Sequence, residues 1–385
     1  MNRKITDGIE YIGVNDYDTD LFEGQYKVEK GMAYNSYVVI DEKIAVFDTV
    51  DARFGDEWLA NLEAALGGRT PDYLIIQHVE PDHSANAMRF AEKYGDAIVV
   101  ATAPAFIMLK NYFGDDFASR RLVVKDGDTL KLGRRELTFV TAPMVHWPEV
   151  MMTYEKSGKL LFSADAFGKF GAVGADEDWA CEARRYYFGI VGKFGVQVQN
   201  LLAKLSGCEI SAILPLHGEI LTENLGYYVG LYDIWSKYGV ESDGVTIAYT
   251  SVYGHTRTAV EMLAKELENL GVKVAMHDLA RCDTAEAVED AFRYGKLVLA
   301  TTTYNGDIFP FMKTFIDALT ERNYCNRKIA LIENGTWSPV AAKIMRAAFE
   351  NSKNIEFCET TVKILGSLDA ESEGRIKTLA EELAK

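Results

Sequence analysis

From about residue 245 to its C-terminal end, the chain alternates between short apolar runs and amphipathic stretches, and this alternation constrains the fold more than any other feature. The apolar runs at 245–250, 272–277, 297–301, 329–333 and 361–365 have the length and β-branched content of buried strands. Between and after them, 256–270, 284–294, 311–320, 339–349 and 371–384 carry helical spacing. Five strands with intervening helices predict a doubly wound parallel sheet. Sheets of that kind bind ligands outside the carboxyl ends of their strands, so the loops there are the first places to look for function.

The polar, glycine-bearing stretch at 237–244 marks a change of pattern, and we place a domain boundary there, with residues 1–243 and 244–385 as separate domains. A length of 385 residues supports two cores. The first half is also α/β. Residues 37–40 and 44–47 read as a hairpin, 56–66 as a helix stopped by Gly67 and Gly68, and 73–76 as a buried strand. Further strands are predicted near 97–100, 122–124, 137–140 and 160–162. A formal charge of −16 argues against a nucleic-acid partner, which would require an excess of Lys and Arg. No apolar segment follows Arg3 and Lys4, and no apolar run is long enough to span a bilayer, so a cytoplasmic protein without a membrane anchor is expected. The five cysteines form no C-x-x-C pair, which fits reduced thiols better than disulfides or a thiolate-bound metal.

The densest chemistry lies just past the strand at 73–76, in Gln77-His78-Val79-Glu80-Pro81-Asp82-His83. In an extended segment His78, Glu80 and Asp82 would share one side, with His83 pointing across them. Four metal-competent side chains in six residues exceed what a solvated loop ordinarily carries. Downstream, His146, Asp165 and His217 each follow a predicted strand. Singly, each has a plain structural explanation: a histidine packed beside Trp147, an aspartate capping a turn, a turn histidine before Gly218. Their shared position at strand ends lets all of them converge on one rim.

The H-x-E-x-D-H segment followed by spaced His, Asp and His resembles the flavodiiron proteins, whose metal domain is a metallo-β-lactamase-like αββα sandwich. The resemblance covers essentially the whole chain, including the order of the domains. It implies that His78, Glu80, His146 and a bridging Asp165 hold one iron, and that Asp82, His83, His217 and the same Asp165 hold a second. The related hydrolases carry histidine at the position of Glu80. A carboxylate there adds a hard, anionic donor and favours iron over zinc. The resemblance also places Tyr186 and Tyr187 near the substrate pocket.

In the second half, Thr250, Ser251, Val252, Tyr253, Gly254, His255 and Thr256 join the first strand to the first helix. Hydroxyls, backbone N–H groups and a helix N-terminus together suit a phosphate. No lysine follows the glycine, so a nucleotide-triphosphate loop is disfavoured. Thr302, Thr303, Tyr304, Asn305 and Gly306 follow the third strand, and Asn334, Gly335, Thr336, Trp337 and Ser338 follow the fourth. Tyr304 and Trp337 are placed to flank an isoalloxazine ring. The three loops resemble those of flavodoxin, implying FMN with its phosphate at 251–256. His277 is expected to be structural.

The resemblance implies a reductase in which FMN takes electrons from rubredoxin or a similar small donor and recharges two irons, which reduce O2 to water, NO to N2O, or both. A reduced deazaflavin is another donor used by relatives. It also implies a head-to-tail homodimer or a dimer of dimers. No rubredoxin module is fused within this sequence. Two other classes remain at this stage: a zinc hydrolase with a flavodoxin-like regulator, and an electron carrier or gas sensor without turnover.

Overall fold

Val38, Val39 and Ile40 are β-branched, and in the computed structural model they pair antiparallel with Val46, Ala45 and Ile44. The described residues are 4–385. They divide into two compact units: 4–186 with Val196–Asp233, and Tyr187–Gly195 with Ile234–Lys385.

In the first unit the hairpin strands Tyr37–Ile40 and Ile44–Phe47 lie inside a seven-stranded sheet. Its order is Lys4–Thr6, Ile9–Tyr11, Tyr37–Ile40, Ile44–Phe47, Tyr73–Ile75, Ile98–Thr102 and Arg121–Val124. A second sheet has five strands in the order Thr129–Lys131, Glu136–Thr141, Met151–Glu155, Leu160–Phe162 and Ala212–Leu214. One apolar core joins the two sheets, with Val39, Phe47 and Ile75 from the first meeting Phe139, Phe162 and Leu214 from the second. Phe47 and Phe162 stack with ring centroids 4.0 Å apart. Helices cover the outer faces. Gly55–Leu66 buries Trp58 and Leu62 and ends at Gly67, whose φ of 56° is the left-handed cap that the glycine pair predicted. This is the αββα sandwich of the metallo-β-lactamase fold.

The second sheet also fixes where its loops emerge. Glu136–Thr141 is antiparallel to Met151–Glu155, which is antiparallel to Leu160–Phe162, and the latter runs parallel to Ala212–Leu214. The first, third and fourth of these strands therefore point the same way. The loops that follow them leave from one rim.

The second unit is a parallel sheet in the order Val274–Asp278, Ser242–Tyr249, Tyr294–Tyr304, Arg327–Asn334 and Ile355–Ile364. A short antiparallel strand, Asp307–Ile308, folds back on the third. The helices His255–Asn269, Thr284–Arg293, Pro310–Glu321, Ala341–Ala347 and Ala370–Leu383 follow their strands as predicted. This is a flavodoxin-like doubly wound sheet. The segment Tyr187–Gly195 packs with this unit: the Phe188 ring stacks on Phe292 at 4.0 Å, and Arg322 Nε donates to the Phe188 carbonyl at 2.6 Å. No helix among the described residues is long and apolar enough to cross a membrane.

Candidate functional site

Seven side chains predicted from the sequence meet at the rim of the first unit. Ligand-competent atoms of His78, Glu80, His146 and Asp165 form one group, and those of Asp82, His83 and His217 form an adjacent one. The local backbone differs from the extended segment predicted for 78–83. Pro81 opens a helical turn, Pro81–Ser84, because its fixed φ suits the first helical position. The alternation therefore holds for His78 and Glu80 only, and the turn carries Asp82 and His83 into the second group.

Each loop is held by its own hydrogen bonds. Asp48 Oδ1 accepts from the Gln77 and His78 N–H groups at 2.7 and 3.3 Å. Thr49 N–H and hydroxyl both donate to the His83 carbonyl, at 2.6 and 2.9 Å. The loop bearing His146 is closed by Ala142 N–H donating to Val150 O at 2.8 Å. The turn of Asp165 is pinned by Ser163 Oγ donating to Ala166 O at 2.7 Å. Asn35 Nδ2 donates to Pro215 O and Gly218 O at 2.8 and 2.9 Å, on either side of His217. Asp48, Met144, Ala164 and Phe167 all have positive φ, so these loops carry strained backbone.

Asp165 lies between the two groups. Its Oδ2 is 3.0 Å from His146 Nε2 and 3.3 Å from His78 Nε2, while its Oδ1 is 3.2 Å from His83 Nε2 and 3.9 Å from His217 Nε2. Glu80 Oε2 completes the first group at 3.1 Å from both His78 and His146. Asp82 Oδ2 completes the second at 3.3 Å from His83 and 3.4 Å from His217. Donors around one ion with bonds of about 2.1 Å stand roughly 3.0–3.4 Å apart, so both groups have the spacing of a coordination shell. Hydrogen bonding among these groups does not explain the arrangement. Both oxygens of Asp82 and both of Asp165 are buried without a hydrogen-bond partner, although such groups are almost always satisfied. The ring nitrogens of His78 and His146 face each other at 3.3 Å, and those of His83 and His217 at 3.1 Å. Buried carboxylates and imidazoles aimed at common points in this way fit a pair of cations.

The electrostatics reflect that crowding. Burial opposes charge on His146, but Asp165 and Glu80 outweigh it and raise its pKa to about 9. Burial and neighbouring Glu80 and Asp165 push the Asp82 carboxyl up to about 7, with His83 pulling the other way. Burial and the adjacent His83 cation lower His217 to about 3. Against its own burial, Asp165 is held well below the usual carboxylate range by His78 and His83.

Of the two tyrosines, Tyr186 is beside this centre, its ring 5.5 Å from that of His217. Tyr187 packs elsewhere, against Phe188 and Trp235 in the second unit.

The second unit carries a cavity of about 600 Å³ at the carboxyl ends of its strands. Three predicted loops line it: Ser251, Val252, Tyr253, His255 and Thr256; Thr302, Thr303, Asn305 and Gly306; and Asn334, Gly335, Thr336 and Trp337. Its volume is in the range of cofactor pockets. Gly254, with φ of 94°, turns the chain into the helix His255–Asn269 and aims that helix's first N–H groups at the cavity. Trp337 and Tyr253 are 79% and 90% exposed, leaving two aromatic faces at the rim for a flat ligand. Thr250, Gly254, Tyr304 and Ser338 do not line the cavity; the Tyr304 ring sits on Phe309 instead, at 5.1 Å.

Residues 32–218 match the family described as ODP family beta lactamase, and residues 246–364 match the flavodoxin domain. Among curated relatives is the anaerobic nitric oxide reductase flavorubredoxin of Salmonella arizonae, 28% identical over 374 residues, 92% of this chain and 78% of the relative. Among solved structures, rubredoxin oxygen:oxidoreductase of Desulfovibrio gigas aligns with a TM-score of 0.91 at 25% identity, covering 100% of this chain and 98% of that one. The flavodiiron protein of Giardia intestinalis aligns at 0.92 and 25%, covering 100% and 97%. The chain shares the fold of the flavodiiron proteins and carries a beta-lactamase-like and a flavodoxin domain.

Three supporting features of this chain lie outside the residues that the sequence singles out. Glu149 Oε1 accepts from His78 Nδ1 at 2.8 Å and from Val79 N–H at 2.9 Å, which turns His78 Nε2 toward the centre. Asp48 supports the same loop. Leu365, Gly366 and Ser367, after the fifth strand, complete the cofactor cavity. The strand-end rule that singled out the other loops would have found this third feature. His277 pairs with Asp290 at 2.9 Å, in keeping with a structural role.

Proposed function

We propose that this chain is an oxidoreductase that reduces O2 to water, NO to N2O, or both, at a non-haem di-iron site, with electrons supplied through FMN. The observation that carries the reading is Asp165, whose two oxygens each face a different histidine pair. His78, Glu80 and His146 would hold one iron and Asp82, His83 and His217 the other, with Asp165 between them. Paired irons supply redox chemistry and a template for the small substrate when bound. The first unit serves as the metal domain and the second as the FMN domain; the boundary read from the sequence at 243/244 falls inside the second unit's strand Ser242–Tyr249.

The chain's own groups prepare that chemistry. Glu149 fixes the tautomer of His78, and the Ala33 carbonyl does the same for His217, accepting from its Nδ1 at 2.7 Å. Burial raises the Tyr186 phenol well above its ordinary pKa, with Asp165 and Glu80 adding to the effect, so it remains a proton-bearing donor beside the pocket. In the second unit, the hydroxyls of Ser251 and Thr256 and the N–H groups at the start of His255–Asn269 would hold the flavin phosphate, and Trp337 and Tyr253 would offer aromatic faces to its ring. Rubredoxin or a similar small protein is the electron donor, the setting is cytoplasmic, and the working form is a head-to-tail homodimer.

Anaerobic reduction of protein with counted iron and FMN, followed by separate O2 and NO consumption assays, tests the reading. Turnover with either gas is expected, and a fully loaded protein that consumes neither would overturn it. Glu80→His should release iron more readily and lose turnover together. Unchanged iron content and rate would remove Glu80 from the site.

A further inference from the structure

A row of aromatic rings joins the metal centre to the surface of the first unit. The Trp147 ring stands edge-on to His78, with centroids 5.2 Å apart and planes at 90°, and lies 6.0 Å from the His146 ring. Beyond it the Tyr112 ring is nearly parallel to the indole, at 6.3 Å and 12°. Trp147 is half-buried, and Tyr112 is 49% exposed near the end of the helix Ala103–Phe113. Thr102 ties the two supports together. Its hydroxyl oxygen caps the helix by accepting from Ala105 N–H at 3.4 Å, and the hydroxyl donates to Glu149 O, in the loop that carries Trp147, at 2.9 Å.

The other tyrosines beside the centre are placed differently. Tyr34 and Tyr186 are buried against His217, at 6.1 and 5.5 Å. The ring that continues from Tyr34 is Phe54, and those that continue from Tyr186 are Phe22 and Phe170. A phenyl ring is far harder to oxidise than a phenol or an indole, so neither direction carries an electron onward. Among the described residues, only the row through Trp147 and Tyr112 runs from a ligand histidine to solvent through oxidisable rings throughout. Core packing does not account for its outer member, since a ring half in water buries little.

We propose that Trp147 and Tyr112 form an electron path that feeds the centre from the surface when the flavin supplies too few electrons to complete the reduction of O2. The proposal rests on the oxidoreductase reading. Carrying O2 to two waters consumes four electrons and four protons, and a shortfall leaves oxidising power beside His78 and His146. For each missing electron, Trp147 gives one up and loses its indole proton. Tyr112 then passes an electron to Trp147 and releases its phenol proton to water, while the indole regains a proton. The electron and a proton from solvent go to the oxygen being reduced, and the deficit rests on a half-exposed phenol. A small one-electron reductant in solution, a thiol or ascorbate, restores the electron and proton of Tyr112. Oxidation is thereby carried away from the ligands.

Iron- and FMN-loaded protein, given half the electrons that O2 requires and then mixed with O2, tests the path by rapid-freeze electron paramagnetic resonance. Wild type should give a radical whose lines narrow when the protein is made with ring-deuterated tyrosine, which separates it from a flavin radical. Tyr112→Phe should lose that signal, and Trp147→Phe should weaken it several-fold, because the intermediate step is gone. Both variants keep a ring in place, and iron and FMN are counted in each. With donor in excess, Tyr112→Phe should turn over like wild type. With donor limiting, it should lose activity several-fold faster, with oxidation products on Trp147 and the ligand histidines in peptide mass maps. A tyrosine radical of wild-type intensity in Tyr112→Phe, or none in a wild type that consumes O2, would overturn the path and leave the oxidoreductase reading intact. Consumption of NO alone would also remove the path. A fully reduced, loaded wild type inert toward both gases would remove the reading and the path with it.

Discussion

The orientation of His78 depends on a residue outside the ligand set. Glu149 is buried, and one of its oxygens accepts from both His78 Nδ1 and Val79 N–H, so it fixes the imidazole in rotation and tautomer. Glu149→Ala removes that anchor and leaves Val79 N–H buried without a partner. Metal affinity should fall by about 10–100-fold, the usual effect of losing such an outer partner. Iron retained after dialysis against a graded series of chelator concentrations measures it, and retention equal to wild type would remove Glu149 from the centre. The seven convergent residues were legible because four of them crowd into one short segment and the others follow strands. Glu149 and Asp48 were not legible. They act over 71 and 29 residues of separation, and a lone acid in an apolar context carries no local sign of what it will face.

At the scale of elements, legibility followed burial. The central strands Ile44–Phe47 and Tyr73–Ile75 are wholly buried and announce themselves as continuous apolar runs. The helical turn Pro81–Ser84 is hidden in a segment that reads as extended, since a dense row of polar ligands has no periodicity of its own and only the proline at the first helical position hints at the turn. Phe188 illustrates a different limit. Its ring is 1% exposed and stacks on Phe292, a contact more than a hundred residues away in sequence, so nothing local predicts it. Phe188→Ala leaves a cavity beneath Phe292 and should cost about 3–5 kcal/mol. The second unit should bear that loss, so the denaturant midpoint followed by flavin release should drop. A midpoint equal to wild type would mean that Tyr187–Gly195 adds nothing to the stability of that unit.

For the molecule as a whole, the metal centre links stability to pH. In the metal-free chain the folded pKa of Asp82 is raised to about 7, above its unfolded value of about 3.9. Its favourable contribution is present below the unfolded value and is lost as pH rises through 7. His146 is raised to about 9 from an unfolded value of about 6.5, so its contribution is full below 6.5 and is lost as pH rises through 9. His217 has the opposite sign: its folded pKa is lowered to about 3, so its contribution is present above 6.5 and is lost as pH falls toward 3. Between pH 6.5 and 9 the two losing terms act while His217 stays neutral, and the metal-free protein should weaken as pH rises. Iron reverses the balance, since it requires the deprotonated forms and binding releases their protons. The gap in thermal midpoint between iron-loaded and metal-free protein should therefore widen from pH 6.5 to pH 9. Paired melts across that range at fixed ionic strength measure it. A gap that stays constant or narrows would mean that Asp82 and His146 do not compete with protons for the metal, and would separate the buried acids from the stability of the centre.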